Sequence, residues 1–105
     1  MIVSTWKSGS GSFGIKIALD DRERFFDKDW SSVTLTLEGS EQPIKVNVDK
    51  DSFWTPTCGE LISKEIKAWF KENGLDTWPI RKPHRLELKS ISGNHFLLCI
   101  PNRVR

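Results

Sequence analysis

Cationic side chains are the residues of this chain best suited to chemistry, and they are densest in one short segment. Arg81, Lys82, His84 and Arg85 lie close together, and Trp78 precedes them. Arginine and lysine can contact nucleic-acid phosphates, and an exposed tryptophan can stack on a base or support an arginine. In the alternative interpretation, the tryptophan packs beneath the loop and the cations are only solvated. Both interpretations stay open at this point.

A second candidate is the sequence Lys-Ser-Gly-Ser-Gly-Ser at residues 7–12. It cannot form regular structure, so it is either a flexible connection between two strands or a loop whose backbone amides approach a phosphate. It lacks the Gly-Lys-Ser/Thr ending of a P-loop, so we predict no nucleotide site. Together with the strand that follows, the two segments predict a nucleic-acid-binding surface made of Lys7, Ser10, Lys16, Trp78, Arg81, Lys82, His84 and Arg85.

Catalytic chemistry has two weak candidates. Asp76 with Glu87 and Lys89 is similar to the carboxylate-plus-Glu-x-Lys arrangement of Mg²⁺-dependent nucleases, in which acids hold the ion and the lysine orients water. Glu-x-Lys is common by chance on exposed strands, however, and Asp76 falls in a predicted loop. Cys58, predicted at the first turn of a helix, is the one plausible nucleophile, although cysteines at such positions are usually structural.

Metal chemistry is not indicated by the histidines and cysteines. His84, His95, Cys58 and Cys99 do not show the paired spacing of a zinc site. We therefore predict no catalytic residue, no metal site and no cofactor.

The overall charge limits how nucleic acid could be bound. The 105 residues carry a formal net charge of only +2, whereas a dedicated electrostatic nucleic-acid binder usually has a much larger basic excess. Phosphate binding must therefore come from local clustering of cations. A chain of this length is expected to form a single domain over residues 1–105.

The cellular location is predicted from what the sequence lacks. Residues 1–7 do not have the pattern of a signal peptide, and no apolar run approaches the length of a membrane span. We therefore expect a cytoplasmic protein that makes no membrane contact and keeps both cysteines reduced.

The clearest secondary-structure signal is a helix over residues 57–74. Thr57 followed by Glu60 predicts a capping box, and Gly74 is suited to end the helix, with Leu75 folding back onto its last turn. The apolar positions Leu61, Ile62, Ile66, Trp69 and Phe70 predict one buried helical face. This helix is expected to act as the lid of a core built from strands.

The remaining elements are short. A second, shorter helix is predicted after Asp20, which we expect to cap it, and residues 102–105 form a short basic tail. Alternating apolar and polar residues predict about six strands, at 2–6, 13–19, 33–38, 44–48, 85–89 and 96–100. The predicted order is ββαββαββ. It favours an α+β, mainly β fold: a small, twisted barrel with helices over its openings.

The strand at residues 13–18 and the helix at 21–26 resemble the beginning of the B3-type DNA-binding pseudobarrel. Residues 66–75 are similar to the second helix of that family, and the resemblance extends over residues 13–100. It implies binding to duplex DNA by two arms of the barrel. The first arm here would be residues 7–13 with Lys16. The second would be the turn at 49–53, which is acidic and therefore a poor neighbour for phosphate.

Three functions follow as hypotheses. The first is a small non-catalytic module that binds nucleic acid, with duplex DNA as the expected partner, or that has a regulatory role. The alternative is a protein-interaction module or subunit that docks a protein partner through an aromatic and basic surface including Trp54 and Trp78, because tryptophan and arginine are enriched in binding hot spots. A Mg²⁺-dependent nuclease is the third and weakest hypothesis.

Overall fold

A computed structural model describes residues 1–101 of the protein, and the predicted basic tail at 102–105 lies outside these described residues. The elements in chain order are β1 (Ile2–Lys7), β2 (Phe13–Ala18), α1 (Leu19–Phe25), β3 (Ser32–Leu37), β4 (Ile44–Asn47), β5 (Cys58–Ile62), α2 (Lys64–Glu72), β6 (Arg85–Ser92) and β7 (His95–Cys99).

Within residues 1–101, seven strands form one sheet in the order β4-β3-β7-β6-β1-β2-β5. Strands β3 and β7 run parallel, and the other neighbours are antiparallel. The sheet curls until its edge strands β4 and β5 approach each other, which makes a nearly closed barrel. The predicted fold class, a small and mainly β barrel with one longer and one shorter helix, is confirmed. The order is ββαβββαββ, with one strand more than predicted.

The barrel core is filled by alternate residues of the strands, because successive side chains of a strand point to opposite faces. The outward-facing residues of the same strands are left to form a surface. The buried strand residues with large apolar side chains are Val3, Ile15, Ile17, Val33, Leu35, Leu37, Val46, Leu61, Leu86, Leu88, Phe96 and Leu98.

The additional strand, β5, corrects the predicted start of the long helix. Residues 58–62 pair with β2, from Ala18 opposite Cys58 to Gly14 opposite Ile62. An added Cβ at Gly59 would lie 2.7 Å from the Phe53 carbonyl oxygen, so a glycine is needed where β5 passes this segment. The capping box of Thr57 and Glu60 was therefore wrong, and so was the placement of Cys58 at a helix start.

The long helix, α2, begins six residues later than predicted, which is between one and two helical turns. Ser63 is its N-cap, and the Ser63 Oγ accepts a hydrogen bond of 3.0 Å from the Ile66 N–H. Ile66, Trp69 and Phe70 are buried, as the apolar spacing predicted. The Trp69 Nε1–H donates to the Glu38 carbonyl oxygen at 2.8 Å. These contacts fix α2 against the barrel as its lid.

The end of α2 confirms the predicted stop. Gly74 has a φ of 69°, in the left-handed region that favours glycine. The Leu75 N–H then donates to the Phe70 carbonyl oxygen at 2.8 Å, and Leu75 is buried against the core.

The short helix, α1, differs from the prediction in its cap. Its N-cap is Ala18, which makes no side-chain capping bond, and Asp20 and Asp21 lie in the first turn. Acidic groups there still interact favourably with the positive end of the helix dipole.

A buried arginine ties α1 to the segment before β5. Arg22 is 3% exposed, and its Nη1 donates to the carbonyl oxygens of Phe53 (2.8 Å), Thr55 (2.7 Å) and Cys58 (3.1 Å). The guanidinium carbon also lies 5.0 Å from the centroid of the Trp54 ring. Arg22 thus fixes a segment that has no regular structure of its own.

Neither helix within residues 1–101 has the length and apolar character needed to cross a membrane.

Candidate functional site

Three strands bring cations together on the outer face of the barrel. In the sheet register, Ser4 of β1 lies opposite Lys16 of β2 on one side and opposite Arg85 of β6 on the other. Residues paired in this way have Cα atoms roughly 4.5–5.5 Å apart. The lysine and the arginine therefore flank a small, half-buried serine that leaves space between them.

The loop before β6 encloses this space and adds two more cations. Arg81, Lys82 and Pro83 line a cleft of about 620 Å³ together with Lys16 and Arg85. All four cationic residues are exposed. The other residues that line the cleft are Ile2, Val3, Ser4 and Ala18, so none of the described lining residues is acidic. We call this the basic cleft. It could hold a phosphate-bearing chain by charge.

Arg81 adopts a backbone conformation that is rare for a residue other than glycine. Its φ is 63°, and it occupies a turn in which the Lys82 N–H donates to the Pro79 carbonyl oxygen at 3.0 Å. A left-handed conformation costs an ordinary L-residue roughly 1–2 kcal/mol. Strain of this kind concentrates at functional sites. In this loop it falls on a cation of the basic cleft.

The loop is anchored to the sheet through His84. The His84 N–H donates to the Thr5 Oγ1 (3.0 Å), and the Thr5 N–H donates to the His84 carbonyl oxygen (2.9 Å). The His84 ring Nε2 is 2.8 Å from the carbonyl oxygen of Thr77, which can only accept a hydrogen bond. His84 therefore holds both ends of the loop and lies outside the cleft lining.

Trp78 supports the loop from beside the cleft. It is half-buried and makes edge-on contacts with Phe13 (6.4 Å between ring centroids) and His84 (6.0 Å). The Lys7 Nζ lies 4.9 Å from the centroid of the Trp78 ring. The structure thus gathers Lys7, Trp78 and His84 into one packed cluster. Their direct contact with nucleic acid stays a prediction.

The loop at residues 7–12 lies beside α2. The hydroxyls of Ser8 and Ser10 are 2.9 Å apart, and the Ser12 N–H donates to the Ser8 Oγ at 3.0 Å. The Lys67 Nζ donates to the Gly11 carbonyl oxygen at 3.2 Å. Ser10 is exposed but does not line the basic cleft, so its predicted role also stays untested.

An acidic margin bounds the cationic surface at β5. Glu60 lies opposite Lys16 in the register of β2 and β5, and its Oε2 is 3.5 Å from the Cys58 Sγ. Burial lowers the pKa of the Lys50 ammonium below its ordinary value, and the Glu60 carboxylate acts in the opposite direction. Among the cations of the cleft, Lys16 is therefore the one that has a carboxylate as its cross-strand partner on the β5 side.

The turn predicted as a second arm, at residues 49–53, is exposed at Asp49, Asp51 and Ser52, and it ends in aromatic residues that pack on the protein itself. Phe53 is fully buried in the core, and the Trp54 Nε1–H donates to the Val48 carbonyl oxygen at 2.9 Å. Trp54 is half-buried, with its indole N–H directed at the backbone of the protein. It offers less aromatic surface to a partner than an exposed tryptophan would.

Metal-dependent catalysis gains no support from the geometry. Among residues 1–101, no group of three or more His, Cys, Asp and Glu side chains is placed to hold a metal ion. Glu87 has Ile2 and Cys99 as its direct cross-strand partners, and neither is a carboxylate. Strand pairing therefore brings no second carboxylate directly opposite Glu87, as the hypothesis of Asp76, Glu87 and Lys89 would need.

Two features of the site were missed from the sequence. Ser4 forms the floor of the basic cleft, and the outward alternation of β1 was the signal that could have revealed it. Ile80, next to Arg81, is 89% exposed, which no polar–apolar pattern predicts.

Comparison with known proteins gave no match to a family model, to a curated protein or to a solved structure.

Proposed function

We propose that this protein is a non-catalytic nucleic-acid-binding module that holds the phosphate backbone of duplex DNA in the basic cleft. The observation that carries the proposal is the convergence of Lys16, Arg81, Lys82 and Arg85 on one cleft without an acidic lining residue. A module with a net charge of +2 can bind a polyanion only if its cations are concentrated in this way.

The chemistry of the four side chains suits phosphate. Arginine presents a planar fork of N–H donors that matches a phosphate bidentately, while lysine acts as a point charge. Each phosphate that they neutralise releases condensed counterions from the DNA, so affinity should fall steeply with salt. Ser4 between Lys16 and Arg85 leaves room for a phosphate group at the cleft floor.

The resemblance to the B3-type pseudobarrel adds support from the fold. A short helix after the second strand and a longer helix before the closing strand pair are the arrangement that it implies. It also implies a DNA-facing surface that includes Lys16, which lines the cleft. The acidic turn at residues 49–53 lies outside the cleft lining, so its charge does not oppose a phosphate bound there.

Titration of a fluorescein-labelled duplex, followed by anisotropy, tests this proposal. We expect Arg85→Ala and Lys82→Ala each to weaken binding by about 3- to 10-fold. Lys71→Ala is the matched control, because Lys71 is an exposed lysine on α2 away from the cleft. Absence of binding at low salt would contradict the proposal, as would equal losses for the cleft variants and the control.

A protein partner docking on the same loop is the second candidate. The observation that favours it is the 89% exposed Ile80 beside Arg81. Arginine is enriched in binding hot spots, and an exposed apolar side chain beside it can fill a pocket of a partner. This candidate predicts that DNA binding is absent while substitutions at Ile80 still abolish association with the partner.

A further inference from the structure

Ile80 is unusual among the large apolar residues of the described chain. It is 89% exposed, whereas the other exposed large hydrophobic residues, Ile2 and Ile91, are 50% and 53% exposed. A single exposed isoleucine is common on protein surfaces. Ile80 differs because it projects almost completely into solvent from the loop at residues 79–83, three of whose residues line the basic cleft; we call this loop the rim of the cleft.

The backbone holds Ile80 in this position. Pro79 and Pro83 restrict the chain on both sides, and the Lys82 N–H closes the turn onto the Pro79 carbonyl oxygen at 3.0 Å. Arg81 keeps a φ of 63°, and His84 anchors the end of the loop to Thr5. The apolar side chain is thus presented by a preorganised turn, so little conformational entropy would be lost when it enters a ligand.

Cations of the cleft follow Ile80 directly. Arg81 and Lys82 are the next two residues, and both line the basic cleft. A DNA backbone seated on these cations would bring its bases to the same rim. Proteins that kink duplex DNA combine these two elements, cationic contacts to the backbone and an apolar side chain that enters between base pairs.

We propose that Ile80 is a wedge that inserts between stacked base pairs of duplex DNA at a flexible pyrimidine–purine step and kinks the duplex there. This inference rests on the proposed function and adds that the protein recognises a flexible base step of the duplex. Flexible steps such as TpA are the easiest to unstack, so the wedge makes the protein prefer them without reading base edges.

The side chains at this rim favour a duplex over a single strand. Proteins that bind single strands stack successive bases on aromatic rings. The aromatic residue nearest in sequence, Trp78, is packed against Phe13 and His84 and carries Lys7 on its ring. An aliphatic wedge on a rigid turn is suited to opening one step of a stacked duplex.

The test compares Ile80→Ala with Ile91→Ala, which removes an exposed isoleucine from β6 outside the cleft lining. Two labelled duplexes are used that differ only in a central TpA or ApA step, with 2-aminopurine beside the step and a dye pair at the ends. We expect the wild-type protein to bind the TpA duplex more tightly than the ApA duplex. On the TpA duplex we also expect it to increase the 2-aminopurine fluorescence and to shorten the distance between the two end dyes. We expect Ile80→Ala to bind the TpA duplex about tenfold more weakly and to lose all three effects, while keeping its salt dependence.

The possible outcomes separate this inference from the proposed function. If wild-type protein and Ile80→Ala bind equally and Arg85→Ala binds weakly, the wedge is wrong and the phosphate cleft stands. If the wild-type protein binds neither duplex, both proposals fall. A third binding assay uses phosphatidylcholine vesicles that contain phosphatidylserine. If Ile80→Ala loses binding only to these vesicles, membrane contact replaces the wedge as the role of Ile80. Ile91→Ala should behave as wild type, and an equal loss there would also overturn the wedge.

Discussion

Lys16 and Arg85 lie on opposite sides of Ser4 across three adjacent strands, although they are far apart in the chain. This relationship gives the basic cleft its shape, because the small serine side chain separates two exposed cations at the cleft floor. This placement of the two cations depends on strand pairing, so a substitution at Ser4 can change the cleft while both cations are kept.

Ser4→Glu places a carboxylate between the two cations. We expect it to lower duplex affinity by about tenfold, because it neutralises part of the local charge and occupies the space for a phosphate. Anisotropy titration measures the effect. Ser90→Glu, at an exposed position of β6 outside the cleft lining, should leave affinity within twofold. Similar losses of affinity from both substitutions would show that the overall charge of the protein decides binding, and would contradict a specific role of the basic cleft.

Arg81 links strain to binding, and two substitutions separate these effects. Arg81→Gly and Arg81→Ala both remove the cation and should weaken duplex binding to a similar extent. Glycine adopts the φ of 63° at little cost, so Arg81→Gly should be more stable than Arg81→Ala by about 1 kcal/mol in urea unfolding. Equal stability of the two variants would show that the left-handed conformation at this position is not retained in solution.

The charges of the cleft could be found from the sequence, whereas their arrangement could not. Arg81, Lys82 and Arg85 are neighbours in the chain, so their clustering is visible locally. The addition of Lys16 is set by the register of β1 with β2 and β6, which depends on contacts between distant residues. Ser10, in the other segment predicted from the sequence, does not line the cleft.

The helix boundary shows the limit of local patterns in another way. Leu61 and Ile62 fit the apolar spacing of a helix that continues to Phe70, and Thr57 with Glu60 fits a cap. In the structure these residues form a strand instead, because residues 58–62 pair with β2 and Gly59 closely approaches Phe53. Tertiary contacts of this kind override local propensity.

Ser63 is the functional N-cap of α2, and this can be tested against the rejected cap. Ser63→Ala should reduce the free energy of unfolding by about 1 kcal/mol, because the Ile66 N–H loses its acceptor. Thr57→Ala should change it by less than about 0.5 kcal/mol, since Thr57 is exposed and lies before β5. Chemical denaturation of both variants makes the comparison. A larger loss for Thr57→Ala would return the helix start to residue 57.

Arg22 stabilises the barrel without being part of the cleft. Arg22→Met should lower the free energy of unfolding by about 3 kcal/mol, because three backbone carbonyls lose a charged donor. Arg24→Met, on the exposed side of the same helix, should cost less than about 0.5 kcal/mol. At a temperature where Arg22→Met is folded, duplex affinity should equal that of the wild type. A selective loss of binding by the folded variant would place Arg22 in the interface.

The salt dependence of duplex binding is the most direct test of the central claim. The association constant is measured at several salt concentrations for the wild-type protein and for the double variant Lys16→Ala/Arg85→Ala. Its logarithm is plotted against the logarithm of the salt concentration. We expect a slope of about −3 to −4 for the wild type and a slope whose magnitude is smaller by about 2 for the variant, since each cation removed eliminates roughly one phosphate contact. Equal slopes, or no measurable binding by the wild type at low salt, would contradict the central claim.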